Sequence, residues 1–247
     1  MALLGPEESR PLYHSWANRI WEWIRGSGLI NAHGLVNDGL DEFSGHNSIC
    51  MNNNQSEWTY NQGVMLGGLA FLWELEPDPQ LMQVAARMID ATLEKMVHDE
   101  LHGSAGKGVL RESCEGNWMD YRECSQDAVQ FKGVFIRYLG LVLDLAHRKT
   151  EAGAALGGSA KLARWAGFVL TNAESIWNRA ACTSAAPASV GESREVLAIF
   201  GSSWIGPCNT VPGGLTAVAQ TSAMDVLLIQ MQLACRSEMG ANVTTGA

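Results

Sequence analysis

Trp58-Thr59-Tyr60-Asn61-Gln62-Gly63-Val64-Met65-Leu66-Gly67-Gly68-Leu69-Ala70 begins polar and aromatic and ends apolar and small. Such a stretch predicts a helix whose first turn faces a site and whose body is buried. Tyr60, Val64, Gly67 and Phe71, with Gly68 beside them, recur at spacings of three and four, which sets them on one helical face. Gly63, Gly67 and Gly68 would each weaken an isolated helix by roughly 1 kcal/mol relative to Ala. Three of them in one helix call for a packing reason, and close approach of a neighbouring helix supplies one.

Working outward, five more helices are expected. The first runs from about Glu7 to Arg25, with Trp16, Ile20, Trp23 and Ile24 as its buried stripe and Gly26 and Gly28 at its end. The helix of the opening stretch, Trp58 to Leu75, is the second. Asp78 reads as an N-cap and Pro79 as the first residue of the third helix, which ends near His98. The fourth spans Ser125 to Arg148, the fifth Ser159 to Arg179 and the sixth Leu215 to Cys235. Trp16, Trp21, Trp23, Trp73, Trp165 and Trp177 lie within these helices and read as packing residues. Short extended pieces are expected at Val109-Leu110-Arg111 and at Val196 to Phe200. Residues 1–237 read as one domain and 238–247 as a disordered tail.

The connections alternate: long (Ser27 to Glu57), short (Pro77-Asp78-Pro79), long (Asp99 to Cys124), modest (Gly/Ala-rich) and long (Ala181 to Gly214). Helices joined by short turns are antiparallel neighbours. If all six alternate in direction, the three long loops lie at one end, together with the N-termini of helices two, four and six. The expected fold class is therefore all-α: a partial α/α toroid of about three helical hairpins, with helices two, four and six on the inside.

Length and composition narrow the function. The chain has 247 residues, 47% of them hydrophobic, and a net charge of −9. That charge argues against a nucleic-acid partner and against an anionic membrane surface. No run approaches the ~20 apolar residues of a membrane span. Met1 to Pro11 lacks a signal-peptide pattern, and the C-terminus carries no hydrophobic tail. Cys114 and Cys124 flank a polar loop that a disulfide could close, while Cys50, Cys182, Cys208 and Cys235 have no metal-ligand spacing. No metal or cofactor is expected. Asn54-Gln55-Ser56 and Asn242-Val243-Thr244 are glycosylation acceptor triplets. Gly106-Lys107-Gly108 lacks Walker spacing and reads as a turn. The six histidines are scattered, and no triad, dinucleotide fingerprint or nucleophile elbow occurs.

Polar residues gather where the loop alternation predicts a site. Helix two opens with Tyr60, Asn61 and Gln62, helix four with Asp127, Gln130, Phe131 and Lys132, and helix six with Thr216, Gln220, Thr221 and Ser222. The long loops add Asp38, Asp41, Glu42, Glu112, Glu115, Trp118, Tyr121 and Trp204. Amides and carboxylates hydrogen-bond hydroxyls, and aromatic faces pack on C–H surfaces, so the set suits a neutral polyhydroxylated ligand such as a sugar. Simpler roles stand beside this one. Asp127 could serve the helix N-terminus, Lys132 a solvated face, and Glu112 and Glu115 the loop between the two cysteines.

Four blocks resemble a known family, glycoside hydrolase family 76, the α-1,6-mannanases. They are Trp58-Thr59-Tyr60-Asn61-Gln62-Gly63 continued by Leu66-Gly67-Gly68-Leu69; the stretch from Trp21 ending Leu35-Val36-Asn37-Asp38-Gly39-Leu40; Leu110-Arg111-Glu112-Ser113-Cys114-Glu115; and Asp127 followed by Phe131 to Leu139. The match is close from about Tyr13 to Leu145 and looser through helix six. The resemblance implies a six-hairpin α/α toroid acting on α-1,6-linked mannan, as an endo-hydrolase or a transglycosidase, outside the cell or at the cell wall. It also implies a retaining mechanism in which one of two adjacent aspartates is the nucleophile and the other the acid/base.

In the family that pair lies upstream of the region matching Trp16 to Arg25, and the present sequence has no two adjacent aspartates. The expectation is a C-terminal half, truncated and inactive alone, with no catalytic residue to assign. Asp38, Tyr60, Asn61, Gln62, Glu112, Asp127 and Lys132 are expected to wall a mannan cleft. A partial toroid would also expose Trp16, Trp21, Trp23 and Val226-Leu227-Leu228-Ile229, a surface for self-association. Two alternatives stay open: a non-catalytic glycan-binding or scaffold protein, and another toroid enzyme such as a lyase or epimerase.

Overall fold

The computed structural model describes residues 5–42, 50–99, 106–115, 124–185, 196–208 and 215–244. Seven α-helices fall within them: α1 (Arg10–Ser27), α2 (Thr59–Leu75), α3 (Pro79–Lys95), α4 (Gln126–Arg148), α5 (Thr150–Ala155), α6 (Ser159–Ser175) and α7 (Ala217–Thr244). Two antiparallel hairpins accompany them. β1 (Leu40–Glu42) pairs with β2 (Cys50–Asn52) in the register Leu40 to Asn52. β3 (Ala181–Ala185) pairs with β4 (Val196–Phe200) in the register Ala181 to Phe200. Among the described residues no helix is long and apolar enough to cross a membrane.

The chain packs as two compact units, one from residues 1–95 and 138–163, the other from 96–137 and 164–247. The sequence reading treats 1–237 as one domain. In the first unit α2 and α3 form an antiparallel pair. Asp78 caps α3 as expected: its Oδ1 accepts the Gln80 N–H at 2.9 Å, and Pro79 occupies the first helical position. Leu66, Leu69 and Trp73 of α2 and Met82, Ala85, Met88 and Ile89 of α3 are buried. Burial of each large side chain contributes roughly 1.5–3 kcal/mol. Gly67 has the packing reason its sequence asks for: a Cβ there would lie 2.4 Å from two ring carbons of Tyr138 on α4. A Cβ on Gly68 would meet nothing within 4 Å.

Helix α1 corrects one expectation. Trp16, Ile20 and Trp23 are half or more exposed, and it is Trp21 that is buried. Trp16, Ile20 and Ile24 of the stripe instead line an open groove of about 740 Å³, with Met65, Gly68 and Phe71 on its walls. Periodicity marks an apolar face but carries no information on what covers it. The patch expected for self-association is likewise different in composition, because Trp21, Val226 and Ile229 are buried.

In the second unit α6 buries Trp165, Phe168, Val169 and Ala173, and α7 buries Ala219, Ala223, Val226 and Ile229. Gly133 of α4 lies against α7, where a Cβ would come 2.7 Å from the Ser222 Cα. The strand expected at Val196 to Phe200 is β4, and Leu110 makes an isolated bridge with Val97. The expected fifth helix changes character at Ser175: Ile176–Ala180 is a π-helical turn that runs into β3. The linker before it holds α5, stopped by Gly157 and Gly158 in the left-handed region at φ 111° and 82°. Helix α7 continues to Thr244, past the residue at which the sequence reading starts a disordered tail.

Cys114–Cys124 is a disulfide, as the flanking positions suggest, and Cys182–Cys208 is a second one that spacing did not reveal. It ties β3 to the segment after β4. Cys50 and Cys235 are free and exposed.

Candidate functional site

In the first unit a network of side-chain amides fixes the loop between α1 and α2. Gly28 ends α1 in the left-handed conformation at φ 79°. The chain then folds over the Asn31 side chain, whose Oδ1 accepts the His33 and Leu35 N–H groups at 3.0 and 3.2 Å. Asn31 Nδ2 donates to Asn37 Oδ1 at 2.9 Å and to Glu57 Oε1 at 2.6 Å. Asn37 is buried and donates to the Gln55 carbonyl at 2.6 Å. Asn52 Nδ2 donates to the Gly28 carbonyl at 2.8 Å and to Asn37 Oδ1 at 3.1 Å.

Gln62, in the first turn of α2, closes this network. Its Oε1 accepts the Val36 N–H at 2.8 Å, and its Nε2 donates to the Val36 and Trp58 carbonyls at 2.8 and 3.0 Å. The side chain is fully buried and its donors are both used. Its neighbours differ. Tyr60 is 41% exposed, Asn61 is half-buried with Nδ2 3.5 Å from the Asn37 carbonyl, and Asp38 is exposed. Asp41 and Glu42 of β1 are exposed too.

The second unit repeats the device. Gln220, in the first turn of α7, accepts the Phe200 N–H at 2.8 Å and donates to the Phe200 carbonyl at 2.6 Å. Both glutamines thus clamp one residue of the preceding loop by its N–H and C=O together. From the sequence both are polar residues at the opening of a helix. Each also donates to the carbonyl four residues back, Trp58 in one case and Thr216 in the other, which holds the amide plane in the clamping orientation.

In the same unit a buried ionic cluster ties three loop segments. Lys132 of α4 is fully buried, and its Nζ donates to Glu115 Oε1, a close contact, and to the Ser202 carbonyl at 3.3 Å. The same ammonium lies 4.7 Å from the centroid of the buried Trp204 ring. Glu115 Oε2 accepts the Glu112 N–H at 3.2 Å and lies 3.9 Å from His98 Nε2. Glu112 is itself 1% exposed. Asn172 of α6 accepts the Leu110 N–H at 2.8 Å. Asp127, one residue inside the start of α4, is exposed. Its charge lies in the first turn of α4, where the helix dipole favours it, and Ser125 Oγ accepts the Ala128 N–H at 3.3 Å.

The seven expected site residues therefore fall in two sets. Asp38, Tyr60, Asn61 and Gln62 are neighbours in the first unit, and Glu112, Asp127 and Lys132 belong to the second. Asp38, Tyr60, Asn61 and Asp127 reach solvent, while Gln62, Glu112 and Lys132 are buried. Trp118 and Tyr121 lie outside the described residues. Asn31, Asn37, Asn52, His98 and Asn172 escaped the sequence reading. The run of asparagines from Asn52 to Asn54 was the one signal for the amide network, and it registers there only as a glycosylation triplet.

Known proteins resemble this chain in sequence and in fold. The mannan endo-1,6-α-mannosidase of Eremothecium gossypii is 33% identical over 144 residues, 56% of this chain and 28% of that protein. The Lin0763 protein of Listeria innocua superposes with a TM-score of 0.60 at 21% identity, covering 93% of this chain and 51% of that one. An inactive variant of the α-1,6-mannanase of Salegentibacter sp. HEL1_6, with two consecutive aspartates replaced and α-1,6-mannotetrose bound, superposes with a TM-score of 0.61 at 20% identity. That match covers 89% of this chain and 52% of that one. At such identities the superpositions establish the fold, an α/α toroid, and the chain spans about half the length of these solved structures. Residues 3–202 match the profile of glycosyl hydrolase family 76, and the chain belongs to that family.

Proposed function

We propose that this chain recognises α-1,6-linked mannan as part of an endo-α-1,6-mannosidase-type protein, and that the 247-residue polypeptide alone does not hydrolyse it. The observation that carries the reading is a contrast. The Salegentibacter mannanase lost activity when two consecutive aspartates were replaced and still held α-1,6-mannotetrose. The present sequence belongs to the same family and contains no adjacent aspartates. A retaining glycosidase needs two carboxyl groups about 5–5.5 Å apart, one to attack and one to move the proton.

Among the expected residues, solvent exposure favours Asp38, Asn61 and Tyr60 in the first unit and Asp127 in the second as sugar contacts. Asp38, Asn61 and Asp127 hydrogen-bond mannose hydroxyls, and the Tyr60 ring packs on the sugar's C–H face. Gln62, Glu112 and Lys132 act behind them, holding the loops. Two disulfides support a location outside the cell, where thiols are not kept reduced.

Isothermal titration with α-1,6-mannotetraose and a reducing-end assay on α-1,6-mannan test both halves. Binding without product is expected, and binding weakens at least several-fold in Asp38→Ala or Asn61→Ala. No heat at millimolar ligand sinks recognition, and sustained release of reducing ends sinks the inactivity. A second reading, a glycan-binding or scaffold protein with no catalytic role, is favoured by the exposed polar set standing without a carboxylate pair. Mixing the chain with a family polypeptide that carries the aspartates separates the two: recovered hydrolysis supports the first reading.

A further inference from the structure

We propose that Asn54 carries an N-linked oligosaccharide, acquired in an oxidising secretory compartment. Asn54-Gln55-Ser56 has the required hydroxyl residue two positions on, with no proline between. A triplet alone is weak evidence, and four structural observations strengthen this one.

Exposure peaks at the acceptor. Asn54 and Gln55 are exposed, whereas Asn52, Asn53, Ser56 and Glu57 on either side are only half so. The flanking residues are tied inward by Asn52 Nδ2 to the Gly28 carbonyl, Asn37 Nδ2 to the Gln55 carbonyl and Asn31 Nδ2 to Glu57. The acceptor is thereby left as the outward apex of an anchored loop. Its backbone is compatible too. Strand β2 ends at Asn52, the last cross-strand bond is Asn53 N–H to the Gly39 carbonyl at 3.1 Å, and residues 53–58 have no regular secondary structure. Asn54 adopts φ 53°, a left-handed conformation that Asn tolerates and that turns the chain off the strand.

The reacting atom is accessible as well. Asn54 Nδ2 makes a long contact of 3.4 Å to the Asn52 carbonyl, at the weak end of hydrogen bonding and on the surface, so water replaces it at little cost. Finally, Cys114–Cys124 and Cys182–Cys208 are closed, the state expected where secreted proteins mature.

The transfer balances with one co-substrate, a polyprenyl-diphosphate-linked oligosaccharide. Asn54 Nδ2 attacks C1 of the first N-acetylhexosamine, the C1–O bond to the diphosphate breaks, the amide proton passes to base, and polyprenyl diphosphate leaves. No oxidant or reductant is needed. The Ser56 hydroxyl takes part only in recognition by the transferase.

The test expresses the 247-residue chain behind a secretion leader in a eukaryotic host. Peptide-N-glycosidase treatment in heavy-oxygen water then marks each occupied asparagine as a labelled aspartate. The expected result is a labelled aspartate at position 54 and a mobility shift on treatment. Asn54→Gln and Ser56→Ala both lose that glycan, and Ser56→Thr keeps it. Ser56→Ala leaves the Asn54 backbone untouched, so its loss of glycan cannot be put down to misfolding at the left-handed residue. Asn242→Gln, at the second triplet, leaves the position-54 label in place. An unlabelled Asn54 in secreted wild-type protein, or an undiminished shift in Asn54→Gln with the Asn242 triplet also removed, overturns the proposal. Neither outcome depends on mannan binding or activity.

Discussion

Gly67 and Gly68 are neighbours on one helix, and the structure assigns them opposite responses to the same added methyl group. At Gly67 a Cβ would stand 2.4 Å from Cδ1 and Cε1 of Tyr138 and 3.2 Å from its Cγ. Carbon atoms in contact prefer about 3.5–4.0 Å, so the ring must retreat by roughly 1 Å. Tyr138 is half-buried in the middle of α4 beside the buried Leu139, and the contact reaches the ring close to its root rather than at a flexible end. Overpacking of this kind costs about 1–3 kcal/mol. Removal of a glycine from a helix interior returns up to about 1 kcal/mol. The net expectation for Gly67→Ala is a loss of about 1–2 kcal/mol. At Gly68 nothing lies within 4 Å, the residue lines the open groove, and the helix term acts unopposed. Gly68→Ala gains about 0.5–1 kcal/mol.

Thermal unfolding followed by far-UV circular dichroism reads both. For a chain of this length 1 kcal/mol moves Tm by about 2–4 °C. Gly67→Ala falls by roughly 2–8 °C and Gly68→Ala rises by about 1–4 °C. The clash is confirmed by adding Tyr138→Ala, after which Gly67→Ala no longer destabilises. Should the two single variants shift Tm in the same direction, or should Gly67→Ala stabilise, the close approach of α2 and α4 is not what places glycine there.

Two further perturbations follow from the buried polar groups. Gln62→Leu keeps the volume but strands the Val36 N–H and C=O, each at about 1–3 kcal/mol, so a loss of about 2–5 kcal/mol in urea unfolding is expected. Gln62→Glu does not rescue it, because a carboxylate accepts from Val36 but cannot donate to it; full stability in either variant refutes the clamp, and Gln220→Leu behaves alike through Phe200. Lys132→Met leaves the Glu115 carboxylate buried without its cation, a loss of about 3–5 kcal/mol. The double variant Lys132→Met with Glu115→Gln recovers part of it in the same assay, and purely additive losses would mean that the ion pair contributes nothing as a pair.

Local signals in this sequence were strong where one residue type has one physical use. Asp78 before Pro79 caps α3, as Asp-Pro at a helix start requires. Gly67 implies a close neighbour, and Tyr138 is that neighbour. The β-branched and aromatic run Val196 to Phe200 is a strand. Signals failed where a pattern has two uses that only tertiary packing separates. The stripe of Trp16, Ile20 and Ile24 is apolar at helical spacing, and that is equally true of a buried face and an open groove. The Cys182–Cys208 pair is 26 residues apart and gives no local hint of itself.

The most instructive confusion concerns the polar openings of the helices. A Gln in the first turn of a helix reads as a ligand contact because it is polar and lies at the loop end. Its amide has one acceptor and two donors, the complement of a single backbone residue's N–H and C=O plus one helical carbonyl. Gln62 and Gln220 use that complement fully on Val36 and Trp58, and on Phe200 and Thr216. Tyr60 lacks the carboxamide and is 41% exposed, while the shorter carboxamide of half-buried Asn61 lies 3.5 Å from the Asn37 carbonyl. Helical geometry explains the division. Consecutive positions are turned about 100° from one another, so three adjacent polar residues meet different surroundings, and Gln62 is the one whose phase and length bring its amide onto Val36. Residue type and helical phase together, rather than polarity alone, single out the side chains that hold a long loop in place.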